Sequence, residues 1–340
     1  MDSTLQPAPS RIDTALGIRG SGIHAPVAGR LAPDTLARRL EPMGANNLPG
    51  STRVCGREQH PPDPAALDDF LAASRERVNA VLDEVLPAET QHPRELHRAL
   101  RYAVFSGGKR LRPTLALGSA MAGGADPEQA MPVAIATELV HTCSLVLDDL
   151  PAQDDNAVRR GRSAAHIAFG SATAILAGSA LLAEAFAQCT RLPDPYACAA
   201  VGAGLTDTIG SRGLIGGQVD DLAFSPSETS LEEVAHIHLR KTAALFRFSA
   251  WSGGVAAGLS GEHLDRLDAF GCAYGLAFQV VDDLLDADPR ECSMLHVLSR
   301  HEARGRIRRL LDQGAREIEV FGPDGWVLAG LARRLEGLIL

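Results

Sequence analysis

Four aspartates stand within eight residues of the sequence, in the stretch DDLPAQDD at positions 148–155. Asp148 and Asp149 end the apolar run TELVHTCSLVL, and Pro151 stops a helix from continuing beyond them. Carboxylates at the C-terminal end of a helix face the negative pole of the helix dipole, which is unfavourable. The cluster, which continues to Asp154, is therefore either a solvated helix end or part of a site for a cation.

A second acidic stretch favours the cation site. Residues 278–286 read FQVVDDLLD and again follow an apolar segment. Asp282 and Asp286 are four residues apart, so they project from one face of a helix, with Asp283 beside them. Because like charges at this spacing destabilise a helix, a compensating cation is implied. Two such stretches predict facing carboxylates around Mg²⁺, which binds carboxylate, water and phosphate oxygens.

Three basic stretches supply the charge that a phosphate group needs. The stretch GGKRLRP at 107–113 also carries two glycines, which let the backbone approach a ligand closely, and RRG and RKT follow later in the chain. A single basic triplet is usually a solvated surface, but three of them beside two aspartate motifs favour a metal-bridged diphosphate. The basic residues concerned are Lys109, Arg110, Arg112, Arg159, Arg160 and Lys241.

The composition argues against two broad classes of protein. The net charge of −9 disfavours nucleic-acid binding, which uses a basic surface. No run of eighteen purely apolar residues occurs, so no transmembrane segment is predicted. Six cysteines without a CxxC pair indicate a reduced, intracellular protein with no sequence-visible zinc site.

Apolar residues three and four positions apart predict helices from about residue 63 almost to the C-terminus. Several of these helices, such as 166–188, are apolar nearly all round, so we expect them to be buried among other helices. We predict an all-α fold, with residues 63–340 forming one multi-helix domain. The predicted helices span 66–86, 93–105, 110–122, 128–150, 163–189, 195–223, 230–258, 262–288, 299–320 and 325–338.

Residues 1–62 differ from the rest of the chain. They are rich in Pro, Gly, Ser and Arg and have no sustained apolar period, which predicts a disordered extension. A cytoplasmic location is predicted, with import into a plastid or another organelle as the alternative if this segment is a transit peptide. A third interpretation places the true start near Met43.

Five stretches, in order along the chain, resemble motifs of the trans-type (E) isoprenyl diphosphate synthases, the polyprenyl synthetase family. They read GGKRLRP, ELVHTCSLVLDDLPAQDDNAVRRG, GLIGGQVDDL, RKTAAL and GLAFQVVDDLLD. The resemblance implies a helical bundle around a central cavity, a homodimer and three Mg²⁺ ions per active site.

The resemblance also implies a role for each residue that matches a motif position. The implied Mg²⁺ ligands are Asp148, Asp149, Asp154, Asp282, Asp283 and Asp286. Lys109, Arg112, His141 and Arg160 match positions that bind isopentenyl diphosphate, and Arg159 and Lys241 match contacts to the allylic diphosphate. Thr242 and Gln279 match residues near the allylic carbocation, and Gln218 and Asp221 match a polar pair beside it. Seven residues separate His141 from Asp148, which places both on one helix face.

The implied reaction is the head-to-tail (1′-4) condensation of isopentenyl diphosphate with dimethylallyl, geranyl or farnesyl diphosphate. Mg²⁺ and basic side chains stabilise the charge on the departing diphosphate, and the double bond of isopentenyl diphosphate attacks the allylic cation. A class I terpene cyclase would lack the second aspartate motif, and a squalene-synthase-like enzyme would lack GGKRLRP. A non-catalytic subunit of a heteromeric prenyl synthase remains an alternative.

The chain departs from the family pattern at two places, after the second aspartate motif and directly before the first. Relatives carry a loop with Gly and Lys after the second aspartate motif, whereas this chain has no Lys after Lys241. Either Arg290 partly substitutes for that lysine or closure over the site is weakened. Leu147 also stands where many relatives have His.

Product length is expected to depend on the helix that leads into Asp148. Cys143 lies five residues earlier, or about 7.5 Å along the axis at 1.5 Å per residue. Relatives that stop at fifteen carbons tend to carry an aromatic residue there, whereas Cys143, Ser144 and Val140 are small. With the long LPAQ spacer, these residues favour geranylgeranyl diphosphate (C20) over farnesyl diphosphate (C15).

The Cys143→Phe variant tests this interpretation. A phenyl ring at this position shortens the space for the growing tail, so we expect the product to shift toward fifteen carbons. Chromatography of the dephosphorylated prenols measures the shift. An unchanged product distribution would mean that other residues set the length.

Overall fold

The computed structural model describes residues 64–227, 229–285 and 291–339. The prediction of a disordered extension at 1–62 lies outside the described residues, and so do the predictions for Asp286 and Arg290. Within the described ranges the protein is almost entirely helical, which confirms the all-α fold.

The helices follow the predicted order with few changes in their boundaries. They are α1 Pro64–Val85, α2 Arg94–Val104, α3 Leu111–Ala122, α4 Met131–Asp148, α5 Ala165–Phe169, α6 Ser171–Cys189, α7 Pro195–Ile209, α8 Leu214–Leu222, α9 Leu231–His238, α10 Ala244–Ala256, α11 Glu262–Leu285, α12 Arg300–Ile318 and α13 Trp326–Gly337. Short 3₁₀ turns occupy Pro127–Ala130, Met294–His296 and Glu319–Gly325. A small antiparallel hairpin pairs β1, Val158–Arg159, with β2, Arg162–Ser163.

Three helices that the periodicity predicts as continuous are interrupted. Gly170, with φ of 81°, separates α5 from α6, because glycine alone adopts that conformation without strain. Between α7 and α8 the chain turns at Gly213, where a Cβ atom would lie 2.0 Å from the carbonyl oxygen of Thr208. Between α9 and α10 the helix widens into a π-helical turn, Leu239–Ala243, a feature often found at functional sites.

The core lies where α4 packs between α3 and α6, and where α10 packs between α3 and α11. Ile135, Leu139, Leu181 and Leu245 are completely or almost completely buried there. Burying a side chain of this size stabilises the fold by about 1.5–3 kcal/mol. The arrangement brings the C-terminal ends of α4 and α11, which carry the two aspartate motifs, to one cavity.

Glycines in α11 let this helix approach the π-helical turn and the start of α10 closely. A Cβ atom at Gly275 would lie 2.8 Å from the Cα atom of Ala243, and one at Gly271 would lie 2.8 Å from the Cα atom of Arg247. Both distances are shorter than a real Cβ contact, so a larger residue would push the two segments apart. The separation between Gln279 on α11 and Thr242 on the turn depends on this close packing.

By length and composition alone, two described stretches, Pro127–Asp148 and Ser171–Cys189, are apolar enough to cross a membrane. The first is 72% buried inside the protein, as is usual for a core helix, and the second is 39% buried. Core helices of soluble proteins pass the same test, so the prediction that the chain has no transmembrane segment stays a prediction.

Arg110 is turned into the protein interior. Its guanidinium group lies 2.5 Å from Oε1 of Glu138 on α4, 3.0 Å from Oδ1 of Asn79 on α1 and 2.7 Å from the carbonyl oxygen of Val104. Arg110 and Glu138 are both at most 3% exposed. The expectation that Arg110 offers its charge to a phosphate is therefore wrong, because its donors already bind three internal acceptors.

The Glu138→Gln variant tests how far the fold depends on this pair. It leaves the buried charge of Arg110 uncompensated, so we expect the free energy of unfolding to fall by about 3–5 kcal/mol. Urea denaturation measures the change. The control is Glu128→Gln, which breaks the exposed pair with Arg77 and should cost at most about 1 kcal/mol. Equal losses in both variants would contradict the structural role of Arg110.

Candidate active site

The two aspartate motifs meet at a cavity of about 510 Å³. Asp148 at the end of α4, Asp154 in the following turn and Asp282 near the end of α11 all line it. The structure therefore brings together acids that stand more than 120 residues apart in the sequence. The other predicted site residues that line this cavity are Arg159, Asp221, Lys241, Thr242 and Gln279.

Burial makes the acid at the end of α4 hard to ionise. Desolvation raises the pKa of Asp148 from its ordinary value of 3.8 to about 7, and the charges of Asp154 and Asp149 add to the shift. Lys241 and Arg159 oppose the shift without cancelling it. Burial also raises the pKa of Asp154. Each of these carboxylates would thus gain stability from an additional cation in the cavity.

The second aspartate of each motif is held by protein groups. Asp149 is 2% exposed, and Nε of Arg159 donates to both of its carboxylate oxygens at 3.0 and 3.2 Å. Asp283 is 4% exposed and accepts a hydrogen bond of 2.7 Å from the backbone N–H of Met294. Asp149 therefore orients Arg159, and Asp283 fixes the segment that follows α11. Their assignment as Mg²⁺ ligands stays a prediction.

A chain of hydrogen bonds connects the π-helical turn to α11. The hydroxyl of Thr242 donates to Oε1 of Gln279 at 2.7 Å, and Nε2 of Gln279 donates to Asp283 at 3.0 Å. The chain fixes the orientation of the Gln279 amide, because its oxygen must accept and its nitrogen must donate. Thr242 and Gln279 are thus presented to the cavity in a defined geometry.

Lys241 is paired with an acid from α8. Its Nζ atom lies 2.5 Å from Oδ2 of Asp221. Although burial lowers the pKa of Lys241, the charge and hydrogen bond of Asp221, together with Asp148 and Asp154, raise it overall. The lysine therefore carries its positive charge at neutral pH and holds that charge over the cavity.

A second group, formed by Arg112, His141 and Arg160, lies next to the acidic cavity. Burial lowers the pKa of His141 well below its usual range, and the charges of Arg112 and Arg160 lower it further. The imidazole is therefore neutral at pH 7, with one N–H donor. Lys109 lies exposed at the start of this group. The sequence stretches GGKRLRP and RRG thus meet in space, as the resemblance implies.

The guanidinium group of Arg160 shapes the glycine turn. Arg160 donates to the carbonyl oxygen of Gly107, and a Cβ atom at Gly108 would lie 2.8 Å from its Nη1 atom. Gly107 and Gly108 also have φ values of 105° and 130°, which residues with a side chain rarely adopt. Both glycines are therefore required where the backbone passes beneath Arg160.

Arg112 is positioned by an aromatic ring. Its guanidinium carbon lies 4.3 Å from the centre of the Phe246 ring, and burial lowers its pKa to about 10. Its buried Nε–H has no acceptor among the described residues. Arg112 is thus held by a cation–π contact, while its Nε–H stays available to donate to a bound anion.

The predicted chain-length residues lie on the side of α4 that faces α6. Cys143 and Val140 are buried, and burial raises the pKa of the Cys143 thiol to about 12. The Sγ atom of Cys143 lies 3.7 Å from the place where a Cβ atom of Gly178 would be, and Leu147 lies closer still. The hydroxyl of half-buried Ser144 donates to the carbonyl oxygen of His141 at 2.9 Å. The space beyond Cys143 is thus bounded by α6.

Gln153 and His238 were missed by the motif analysis. Gln153, in the LPAQ spacer, donates to the carbonyl oxygen of Leu147 at 2.9 Å and accepts from Nε2 of Gln218 at 3.0 Å. This explains the position of Gln218, which secures the first aspartate loop from α8. His238 lines the cavity, with Nε2 3.8 Å from Asp283. The spacer length was a signal for Gln153, whereas nothing in the sequence distinguishes His238.

The donor set of the cavity suits a hard divalent cation. Asp148, Asp154 and Asp282 offer carboxylate oxygens, and burial raises the pKa of the first two. Across residues 64–227, 229–285 and 291–339, no three His, Cys, Asp or Glu side chains are placed to hold a metal ion together. This is compatible with Mg²⁺, which protein sites usually bind through one or two carboxylates plus waters and substrate phosphates.

The sequence profile of the polyprenyl synthetase family matches residues 93–294, which is more than half of the chain. The chain belongs to this family of prenyl-transferring enzymes. It is 38% identical over 234 residues to a heterodimeric geranylgeranyl pyrophosphate synthase large subunit from Arabidopsis thaliana, covering 66% of this chain and 62% of the relative. It thus spans about three fifths of that relative's length.

Two further relatives cover more of the chain. A dimethylallyltranstransferase from Fischerella ambigua is 35% identical over 286 residues, or 78% of this chain and 82% of the relative. The crystal structure of an FPP/GFPP synthase from Zymomonas mobilis superposes with a TM-score of 0.75 at 33% identity, covering 80% of this chain and 99% of that one. The prediction of the family and of its helical fold is confirmed.

The Asp148→Asn variant tests the electrostatic account of the cavity. Folding raises the pKa of Asp148, so the folded protein binds this proton more tightly than the unfolded chain does. The wild type should therefore lose stability relative to Asp148→Asn as the pH rises from about 4 to 7, with a full difference of about 2–4 kcal/mol above pH 7.

Denaturant unfolding in the presence of a chelator, at pH 5 and pH 8, measures this difference. The control is Asp155→Asn, which changes an exposed neighbour and should follow the wild type at both pH values. The account is contradicted if Asp148→Asn is no more stable than the wild type at pH 8.

Proposed function

We propose that this chain catalyses the Mg²⁺-dependent head-to-tail condensation of isopentenyl diphosphate with dimethylallyl, geranyl and farnesyl diphosphate. The proposal rests on one observation above all: aspartates from two distant motifs and the cation of Lys241 line one cavity, with Arg112, His141 and Arg160 beside it. An acidic cavity next to a basic group suits two diphosphate substrates. The acidic cavity would bind one diphosphate through metal ions, and the basic side chains would bind the other directly.

The acidic cavity is proposed to take the allylic diphosphate. Bound Mg²⁺, three ions per site, would be held by Asp148, Asp154 and Asp282, with Asp149, Asp283 and Asp286 as further predicted ligands, and would neutralise charge on the diphosphate. Lys241 and Arg159 line the same cavity and bind the phosphate oxygens. Because Asp221 and Asp149 hold these two cations in place, little reorganisation is needed when the substrate binds.

The basic group is proposed to take the diphosphate of isopentenyl diphosphate. Arg112 offers its unused Nε–H, Arg160 lies over the glycine turn, and Lys109 is exposed at the rim. Neutral His141 contributes an N–H without adding a further charge to the arginines. This site holds the second substrate while the first one ionises.

The reaction then needs no nucleophile from the protein. The allylic C–O bond breaks and its electron pair leaves with the diphosphate, while Lys241 and Arg159 stabilise the negative charge. Thr242 and Gln279 line the same cavity, where their oxygens would stabilise the positive carbon. The double bond of isopentenyl diphosphate supplies the electrons for the new C–C bond, and a proton passes to the released diphosphate. The product is five carbons longer.

The proposed final product is geranylgeranyl diphosphate, because Cys143 is small where relatives that stop at fifteen carbons tend to carry an aromatic residue. Similar proteins include a geranylgeranyl pyrophosphate synthase subunit from Arabidopsis and an FPP/GFPP synthase from Zymomonas. These names span several product lengths, so farnesyl diphosphate is the alternative that the assay below must separate.

A homodimer is proposed as the working form. Apolar side chains on α5, α6 and α8 are about half exposed or more in the single chain, among them Ile167, Leu176 and Val219. Such surface is usually covered by a partner. The Arabidopsis relative is described as a subunit of a heterodimer, which keeps the non-catalytic partner subunit as the second candidate. Cytoplasmic location and organelle import both stay predictions.

An assay of the purified chain tests the proposal. With Mg²⁺, isopentenyl diphosphate and each of the C5, C10 and C15 allylic diphosphates in turn, we expect elongation of all three to C20. Chromatography of the dephosphorylated prenols identifies the product. The control is the same protein with a chelator, which should make none. A C15 end product would support the shorter alternative, and no elongation with any substrate would favour the non-catalytic subunit.

A further inference from the structure

The π-helical turn places two neighbouring cations on two neighbouring acids of α8. Arg240 lies 2.5 Å from Oδ2 of Asp220, and Lys241 lies 2.5 Å from Oδ2 of Asp221. In a regular α-helix consecutive side chains diverge by about 100°, since one turn takes 3.6 residues. Asp220 and Asp221 diverge in the same way on α8, so each cation of the π-helical turn Leu239–Ala243 meets one acid, and only the pair of Lys241 with Asp221 lines the acidic cavity.

Arg240 reaches beyond Asp220 to the turn that precedes α8. Its Nη2 atom donates to the carbonyl oxygen of Ser211 at 2.5 Å, and its Nε atom donates to the carbonyl oxygen of Arg212 at 3.2 Å. One guanidinium group thus connects the turn before α8 with Asp220, near the C-terminal end of that helix. The rigid fork of arginine can make these bonds together, whereas a lysine ammonium group cannot span them.

The backbones of α8 and the π-helical turn touch without intervening side chains. A Cβ atom at Gly217 would lie 2.5 Å from the backbone nitrogen of Lys241 and 2.8 Å from the carbonyl carbon of Arg240. A Cβ atom at Gly216 would lie 2.0 Å from Nη2 of Arg240. The two glycines therefore let Arg240 lie flat against α8, and any shift of Arg240 moves the backbone of Lys241.

Arg240 does not line the cavity that contains Lys241. It lines a neighbouring cavity with Asp220 and His236, and Phe224 and Ile237 border both cavities. An effect of Arg240 on the proposed reaction is therefore indirect, and the backbone contact at Gly217 connects Arg240 most directly with Lys241.

We propose that Arg240 is a positioning residue that fixes the register between the π-helical turn and α8, and so holds Lys241 on Asp221 over the site for the allylic diphosphate. The assignment of that site rests on the proposed function. The pairing of Lys241 with Asp221 is a property of the folded chain and can be measured without any substrate.

The sequence offers a direct probe, because Lys109 and Lys241 are its only lysines. Brief acetylation of the full chain, followed by peptide mass spectrometry, gives the ratio of modification at Lys241 to that at Lys109. Arg240→Met and Asp220→Asn each break the ion pair between the π-helical turn and α8, which should release Lys241 from Asp221. The ratio of modification should therefore rise about threefold or more, the scale expected when neighbouring contacts are energetically coupled. Asp220→Asn is the milder change and carries the test if Arg240→Met does not fold.

The matched control is Arg212→Gln. It removes an exposed arginine side chain that pairs with Asp207, and it leaves the carbonyl oxygen that Arg240 uses. This variant should keep the wild-type labelling ratio. An unchanged ratio in both Arg240→Met and Asp220→Asn would overturn the proposal.

Kinetics provide the second measurement. In Arg240→Met the KM for the allylic diphosphate should rise about threefold or more, while the KM for isopentenyl diphosphate stays constant, because the basic group lies apart from α8. Arg240→Lys keeps the charge opposite Asp220 and should restore part of the loss. Equal changes in both KM values would contradict positioning through Lys241. A wild type that makes no prenol would refute the proposed function, whereas the labelling ratio still decides the positioning role.

Discussion

The site depends on aspartates gathered around one cavity, where burial disfavours the charge of Asp148. Ionised carboxylates removed from water cost several kcal/mol each unless a partner compensates them. The chain compensates Asp149 with Arg159 and Asp283 with the Met294 N–H, but burial still raises the pKa of Asp148 to about 7. The folded protein therefore carries an acidic cavity whose stability increases when a cation enters. The proposed affinity for a metal-bridged anion rests on this cost.

The basic residues cancel this charge only in part. Arg110 binds Glu138 in the core, Arg160 lies over the glycine turn and Lys241 pairs with Asp221. Each cation is thus fixed by groups of its own: Arg110 in the core, Arg160 in the neighbouring basic group and Lys241 at the acidic cavity. A diphosphate with bound metal can then be attracted by both signs of charge. The close helix contacts at glycine positions are what keep these groups in register.

Periodicity and motifs predicted most of the fold and most of the site. Seven of the ten predicted helices correspond to single described helices and three are each divided in two, and eight predicted site residues line one cavity. The breaks at Gly170 and Gly213 were missed because a helical apolar pattern continues through them. The π-helical turn was missed because the helical apolar pattern of 230–258 continues through it.

Side-chain direction was the harder property to predict. Arg110 and Arg112 are two residues apart in the same basic stretch, yet one enters the core and the other lies over Phe246. The difference depends on Glu138 and Asn79, which belong to other helices. The same holds for Asp283, since the Met294 N–H that it accepts comes from a later segment. Such pairings follow from tertiary packing. A motif alone therefore predicts which residues lie near the site, but not which group each side chain binds.

Calorimetric binding of a non-ionising thio analogue of geranyl diphosphate tests the central claim most directly. The account predicts that the full chain binds the analogue only with Mg²⁺, and that Asp282→Asn weakens this binding about 100-fold, the scale of losing charge stabilisation of several kcal/mol. The exposed neighbour variant Asp155→Asn should bind as the wild type does. Binding that is equally tight in a chelator, or that is unaffected by Asp282→Asn, would contradict the account.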